Sequence, residues 1–191
     1  MKSLTTMTQL ILPLVLLMPP AFAGDYLGFG LGQDNFETVI KKLEQRKAGF
    51  DPNYSYHGDH RLKVIKVSTD PQLQQRGDLK VAWLSFRPDG VLYALTVSWY
   101  DAGALHTTLK DVLDLKYTFE RQAGRGFETS RYYRDKTTRI ELYRNTFGFG
   151  RDQVTTLEYT DTTALSTVEA MQRQIDRDIK QRNRDKAGAD L

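Results

Sequence analysis

The chain has only three histidines, and two of them stand together in the run Tyr54-Ser55-Tyr56-His57-Gly58-Asp59-His60. The imidazoles of His57 and His60, with the Asp59 carboxylate between them, are donors of the kind that hold zinc or copper. A structural zinc site takes four ligands and a catalytic one three, and no distant residue identifies itself as the missing donor. The competing reading is a polar turn with two exposed histidines and a locally paired Asp59. Other chemistry is thin. With no cysteine there is no thiol nucleophile, thiolate ligand or disulfide. Gly28, Gly30 and Gly32 are spaced G-x-G-x-G, which is not the G-x-G-x-x-G of a dinucleotide loop, and no strand-helix-strand unit surrounds them. The sequence contains no G-x-S-x-G elbow, H-E-x-x-H helix or P-loop. Paired carboxylates leave no local signature, because they meet only in the fold. The expectation is a non-enzyme without a cofactor.

A second group of residues suits recognition rather than reaction. Residues 127–134 and 137–144 alternate as two strands of a hairpin turning at Asp135-Lys136. On that register Glu128 meets Tyr143, Ser130 meets Glu141 and Tyr132 meets Arg139. This face mixes rings with both charges, the composition of a wet interface; a sheet face left in water looks the same. Phe147-Gly148-Phe149-Gly150 then forms a flexible tip, with two rings that either meet a partner or fold back on the core. Tyr132, Arg139, Tyr143, Phe147 and Phe149 are the candidate partner-binding residues.

These residues need a scaffold, and its strongest signal is Arg87-Pro88-Asp89-Gly90. Proline followed by Asp-Gly suits a type I turn closed by a left-handed glycine. Pairing Arg87 with Val91 and counting outward sets Trp83 against Leu95, Val81 against Val97 and Leu79 against Trp99. That apolar face is the expected core, with Phe86, Leu84 and Ala82 on the reverse. Asp34 with Glu37 reads as a capping box, and Phe36, Val39, Ile40 and Leu43 recur at helical spacing. Residues 50–60 read as a loop, 62–68 as a strand, and the stretch from Asp101 as a helix with Leu105, Leu109, Val112 and Leu113 in its stripe. Residues 153–160 alternate as a strand. A last helix from Thr162 carries Leu165, Val168, Met171, Ile175 and Ile179.

The 191 residues carry a formal charge of +3, too even to argue for nucleic acid. Lys2, the apolar run 10–18 and the triplet Ala21-Phe22-Ala23 read as a secretory signal peptide over residues 1–23. The run is too short to favour a membrane span. A periplasmic or extracellular bacterial protein is expected, with one α+β domain over 24–180 and a polar, disordered tail over 181–191. Within the domain, helix plus three strands occurs twice, over 34–100 and 101–160. This gives two αβββ units in tandem, an antiparallel sheet with helices on one face, and a C-terminal helix. Such an order resembles the small bacterial envelope domains of the β-lactamase-inhibitory-protein type. Gly32, Asp34 and Val39 are similar to the glycine, capping residue and valine that open the helix of SmpA/OmlA-type domains. Here the valine falls one residue late, and the cysteine of those lipoproteins is missing. The resemblance implies a non-catalytic module that binds a protein partner in the envelope.

Overall fold

The computed structural model describes residues 24–189, so the expected leader lies outside the described residues. A short hairpin, β1 (Asp25–Tyr26) and β2 (Phe29–Gly30), precedes α1 (Phe36–Gln45). Strands β3 (Gly49–Tyr56) and β4 (Asp59–Thr69) follow, then the short α2 (Pro71–Gln74), β5 (Asp78–Phe86) and β6 (Leu92–Tyr100). The second half runs α3 (Ala104–Lys116), β7 (Thr118–Ala123), β8 (Glu128–Asp135), β9 (Thr138–Asn145), β10 (Val154–Asp161) and α4 (Leu165–Ala189). All strands after the first hairpin join one antiparallel sheet in the order β3-β4-β5-β6-β10-β9-β8-β7. Each half therefore supplies four strands, not three. The stretch expected as a loop is β3, an edge strand broken by register shifts and carrying Pro52, which hides the alternation. β7, at the other edge, is exposed along its whole length, so it shows no buried face to read.

The turn at Gly90 forms as its residues dictate. Arg87 N donates to Val91 O at 2.9 Å, and Gly90 sits at φ +81°, a region glycine enters without steric cost. The strands beyond it do not keep strict alternation. Leu79 pairs with Trp99 but Val81 with Ser98, and Ser85 pairs with Ala94 but Phe86 with Leu92. One extra residue is thus inserted at Lys80 and another at Tyr93, and each bulge moves the following side chains to the other face. Ala82, Leu84, Phe86, Leu92, Leu95, Val97 and Trp99 become the core, while Val81 and Trp83 turn outward. Trp99 is 0% exposed, and its indole N–H donates to Leu73 O at 3.0 Å. The second hairpin turns at Lys136-Thr137, one residue later than expected, since Asp135 pairs with Thr138. The partners move by two, so the faces survive.

The core side is roofed by α1 through Val39 and Leu43, α2 through Leu73, and α3 through Leu109 and Leu113. Asn35, not Asp34, caps α1 by accepting from Thr38 N. Asp34 instead accepts from Gly30 N at 2.7 Å and from Lys42 Nζ at 2.6 Å, which ties the first hairpin to the helix. The hairpin tip is held by Arg46, whose guanidinium lies 4.2 Å from the Phe29 ring centroid and donates to Leu27 O. Arg46 also reaches the fully buried Asp70 at 3.5 Å, the residue that caps α2. A β-carbon at Gly28 would run into the Arg46 guanidinium. Helices do not all share one face, however. Val168 and Ile175 of α4 pack with Leu62 and Tyr93 on the opposite side. Residues 181–187, expected as a disordered tail, continue that helix with their side chains exposed.

Asp101 joins the halves' elements at the start of α3. Its carboxylate accepts from the N–H groups of Gly103, Leu105 and His106 and, at 2.7 Å, from the Thr155 hydroxyl on β10. Burial pushes its carboxyl up, but the hydroxyl and the three N–H donors outweigh that and hold it below the usual range. His106 beside it is depressed by burial and then by Arg144, with Arg131 and Lys110 acting the same way and Asp101 opposing them.

Two outcomes follow for stability in urea. Trp99→Ala should cost about 3–5 kcal/mol, whereas Trp83→Ala should cost nearer about 1 kcal/mol; equal losses would contradict the bulged register. The unfolded chain takes up a proton at His106 near pH ~6.5, above the folded value, so the folded state loses ground as pH falls below that point. The unfolding midpoint should drop between about pH 7 and pH 5, and His106→Gln should flatten that part of the slope; an unaltered slope would contradict it.

Candidate functional site

Outside the roofed side, the sheet offers a broad second face, and its side chains align across the strands. One row runs Asp51, Lys66, Trp83, Thr96, Glu158, Glu141, Tyr132 and Arg121, each opposite the next in the ladder from β3 to β7. A flanking row runs Val81, Ser98, Thr156, Tyr143 and Ser130; the other flank brings Thr160, Arg139, Arg134 and Thr118 into line. Alternation places polar residues here because the intervening positions, among them Leu95, Leu157, Ile140 and Tyr133, are committed to the core. The buried residues under α4 come from β4, from Ala164 in the turn before the helix and from the helix itself, with Tyr56 and Tyr93 beside them. Arg61 ties α4 to that side through Asp178 at 2.7 Å. None of that cluster comes from β7 to β10, whose outward side chains stay half-buried or exposed apart from Ser130, Val154 and Thr160.

The face is charged in an unusual order. Glu141 lies directly opposite Glu158, and Arg134 directly opposite Arg139. Like charges so placed destabilise a sheet. Each finds partial relief elsewhere: Ser130 donates to Glu141 at 2.7 Å, Thr160 donates to Glu158 at 2.8 Å, and Arg134 reaches Glu120 at 2.8 Å. Arg139 comes only within 3.7 Å of Glu158, and its Nε is buried with no hydrogen-bond partner among the described residues. Rings stand among these charges. The Arg121 guanidinium lies 3.9 Å from the Tyr132 centroid, and the Tyr143 hydroxyl donates to Glu128 at 3.0 Å. Burial and then Glu128 push that phenol up. At the far end Trp83 meets Tyr54 edge-on at 5.3 Å, with Lys66 over both rings.

Of the residues expected to meet a partner, Tyr132, Arg139 and Tyr143 share this face. Phe147 and Phe149 do not join it. They occupy the link between β9 and β10 at 65% and 91% exposure, where Phe147 packs against Phe127 with ring centroids 5.5 Å apart. Glu158, Thr96 and Arg121 could not be assigned from sequence, because their membership depends on β10 pairing with β6 and on the existence of β7. The histidine stretch is dispersed. His57 takes φ +48° in the tight turn between β3 and β4, and Asp59 is occupied by Arg61 through bonds of 3.0 and 2.8 Å. Arg61 pulls that carboxyl down to about 2. His60 instead lines a cleft with Asn35, Lys63 and Arg87. Among the described residues, no three histidine or carboxylate side chains gather as a metal-holding group. Nor is any helix among them long and apolar enough to cross a membrane.

No protein-family model, curated protein or solved structure matches this chain.

If the opposed carboxylates are an energetic burden, Glu141→Gln, which keeps an acceptor for Ser130, should raise stability in urea by about 0.2–1 kcal/mol. A loss of that size would show that the carboxylate is a structural asset.

Proposed function

We propose that the chain is a non-enzymatic, protein-binding module of the bacterial envelope, of the inhibitor, immunity or assembly-accessory type. Its docking surface is the outer face of β10, β9, β8 and β7. One observation carries this reading: like charges are left facing each other on a sheet face that no buried helix cluster among the described residues covers. A face that only had to stay wet would gain from opposite charges across the ladder. A partner presenting the complementary pattern, cation against Glu141 and Glu158 and carboxylate against Arg134 and Arg139, removes both repulsions at once, and such matching sets specificity and encounter rate. Tyr132, Tyr143 and Arg121 are residue types that anchor protein interfaces.

The order of elements supports the further reading that the halves are repeated units, each now a helix and four strands, with the last strand of each meeting at the centre. On that reading the likeness to the β-lactamase-inhibitory-protein and SmpA/OmlA types is one of fold, and fold alone assigns no residue a role. The envelope location rests on the leader read in residues 1–23.

A photo-crosslinking residue placed at Tyr132 should yield a discrete adduct in envelope extract, absent when the same group is placed at Lys41 on the outer side of α1. The adduct should disappear with Glu141→Arg. Identical adducts from both positions, or none, would overturn the assignment.

A further inference from the structure

The roofed side of the sheet carries a second site. The first hairpin lies between the helices of the two halves, and a cleft of about 210 Å³ remains between it and α3. Its floor is Leu109, Leu113, Leu157, Tyr26 and Tyr159, each under a tenth exposed. A tyrosine in such surroundings normally finds a partner for its hydroxyl, because a buried polar group left unbonded is costly. Tyr26 has one, Asp135 Oδ2 at 2.7 Å. Tyr159 stacks on Tyr26 with centroids 4.4 Å apart and is 6% exposed. Yet its hydroxyl has no hydrogen-bond partner among the described residues, and it is not one of the oxygens sealed from solvent. It faces the cleft. The hydroxyl of half-buried Tyr117, in the same lining, is also without a partner among the described residues.

Two cations stand at the rim. Arg76 and Lys116 both line the cleft, and neither side chain makes an ion pair or hydrogen bond among the described residues. Among the described residues Asp25 is the one carboxylate in the lining, and it pairs with neither. The slot thus combines an apolar floor, two phenol donors with no protein acceptor and two uncommitted cations. Its volume is below the roughly 300–1,000 Å³ of sites for drug-sized ligands.

The geometry points to a binding site for a small organic anion, with an apolar or aromatic body lying on Leu109, Leu113 and Tyr159 and a carboxylate or similar head held by Arg76, Lys116 and the phenol hydroxyls. Charge-assisted bonds of this kind are the strong ones, and the apolar floor orients the body. This site uses the opposite side of the sheet from the proposed protein-docking face and stands independently of it.

Phenylacetate, its neutral analogue phenylacetamide and the variants Arg76→Gln/Lys116→Gln and Val112→Trp test the assignment, with amide shifts of Leu113, Tyr117 and Tyr159 as the readout. Phenylacetate should saturate these shifts with a Kd at least about tenfold below that of the amide, a difference one charged contact supplies. The double variant should erase that preference. Val112 lines the cleft but is 41% exposed, so a tryptophan there should fill the slot and abolish saturation by both probes without lowering the unfolding midpoint. Failure of phenylacetate to saturate by about 10 mM, equal binding of acid and amide, or saturation that survives Val112→Trp would each overturn the site.

Discussion

The antiparallel pairing of β6 with β10 is the contact on which the rest of the structure depends. It runs from Tyr100 opposite Val154 to Ala94 opposite Thr160 and turns two four-stranded halves into one sheet. On its inner side it brings Leu95, Val97 and Trp99 beside Leu157 and Tyr159, side chains each worth about 1.5–3 kcal/mol on full burial. On its outer side it sets Thr96 against Glu158 and Ser98 against Thr156, whose hydroxyls meet at 2.8 Å. Asp101 extends the same joint by holding α3 to Thr155. Without this pairing the first hairpin would have no seam to cover, and Tyr26 would have no Tyr159 to stack on.

Much of this was legible from residue types. The Pro-Asp-Gly turn, the stripes of α1 and α3, and the alternation of β8, β9 and β10 all carry local signals that the fold respects. What escaped was set by long-range pairing. The bulges at Lys80 and Tyr93 leave no mark on the sequence, yet together they decide that Leu84 and Phe86 face inward while Trp83 faces out. A counting rule with period two fails at the first inserted residue. β3 and β7 were missed for the reason that makes them edges. Each has only one neighbour, so neither needs the continuous β-branched pattern of a central strand, and Pro52 is tolerated in β3.

The candidate sites divide the same way. Tyr132, Arg139 and Tyr143 were placed together on one face by alternation alone, and a two-residue error in register left that result intact. Their closest partners changed, from Glu141 opposite Ser130 to Glu141 between Tyr132 and Glu158. The opposed charges that motivate the docking proposal are therefore a product of the register, invisible to a reading that knew only which residues shared a side. The cleft beneath the first hairpin was out of reach for a related reason: Arg76, the Lys116-Tyr117 pair at the end of α3 and Tyr159 lie on three different segments, and only the closed sheet assembles them.

Amide hydrogen exchange across the sheet tests the central joint most directly. If the β6–β10 pairing unites the halves, the hydrogen-bonded ladder amides of residues 94–100 and 154–160 should exchange slowest, and the most protected amides of β4 and β9 should open with that same free energy, as one cooperative unit. Two separate opening energies, one for β3 to β6 and another for β7 to β10, with the seam amides exchanging early, would contradict this account.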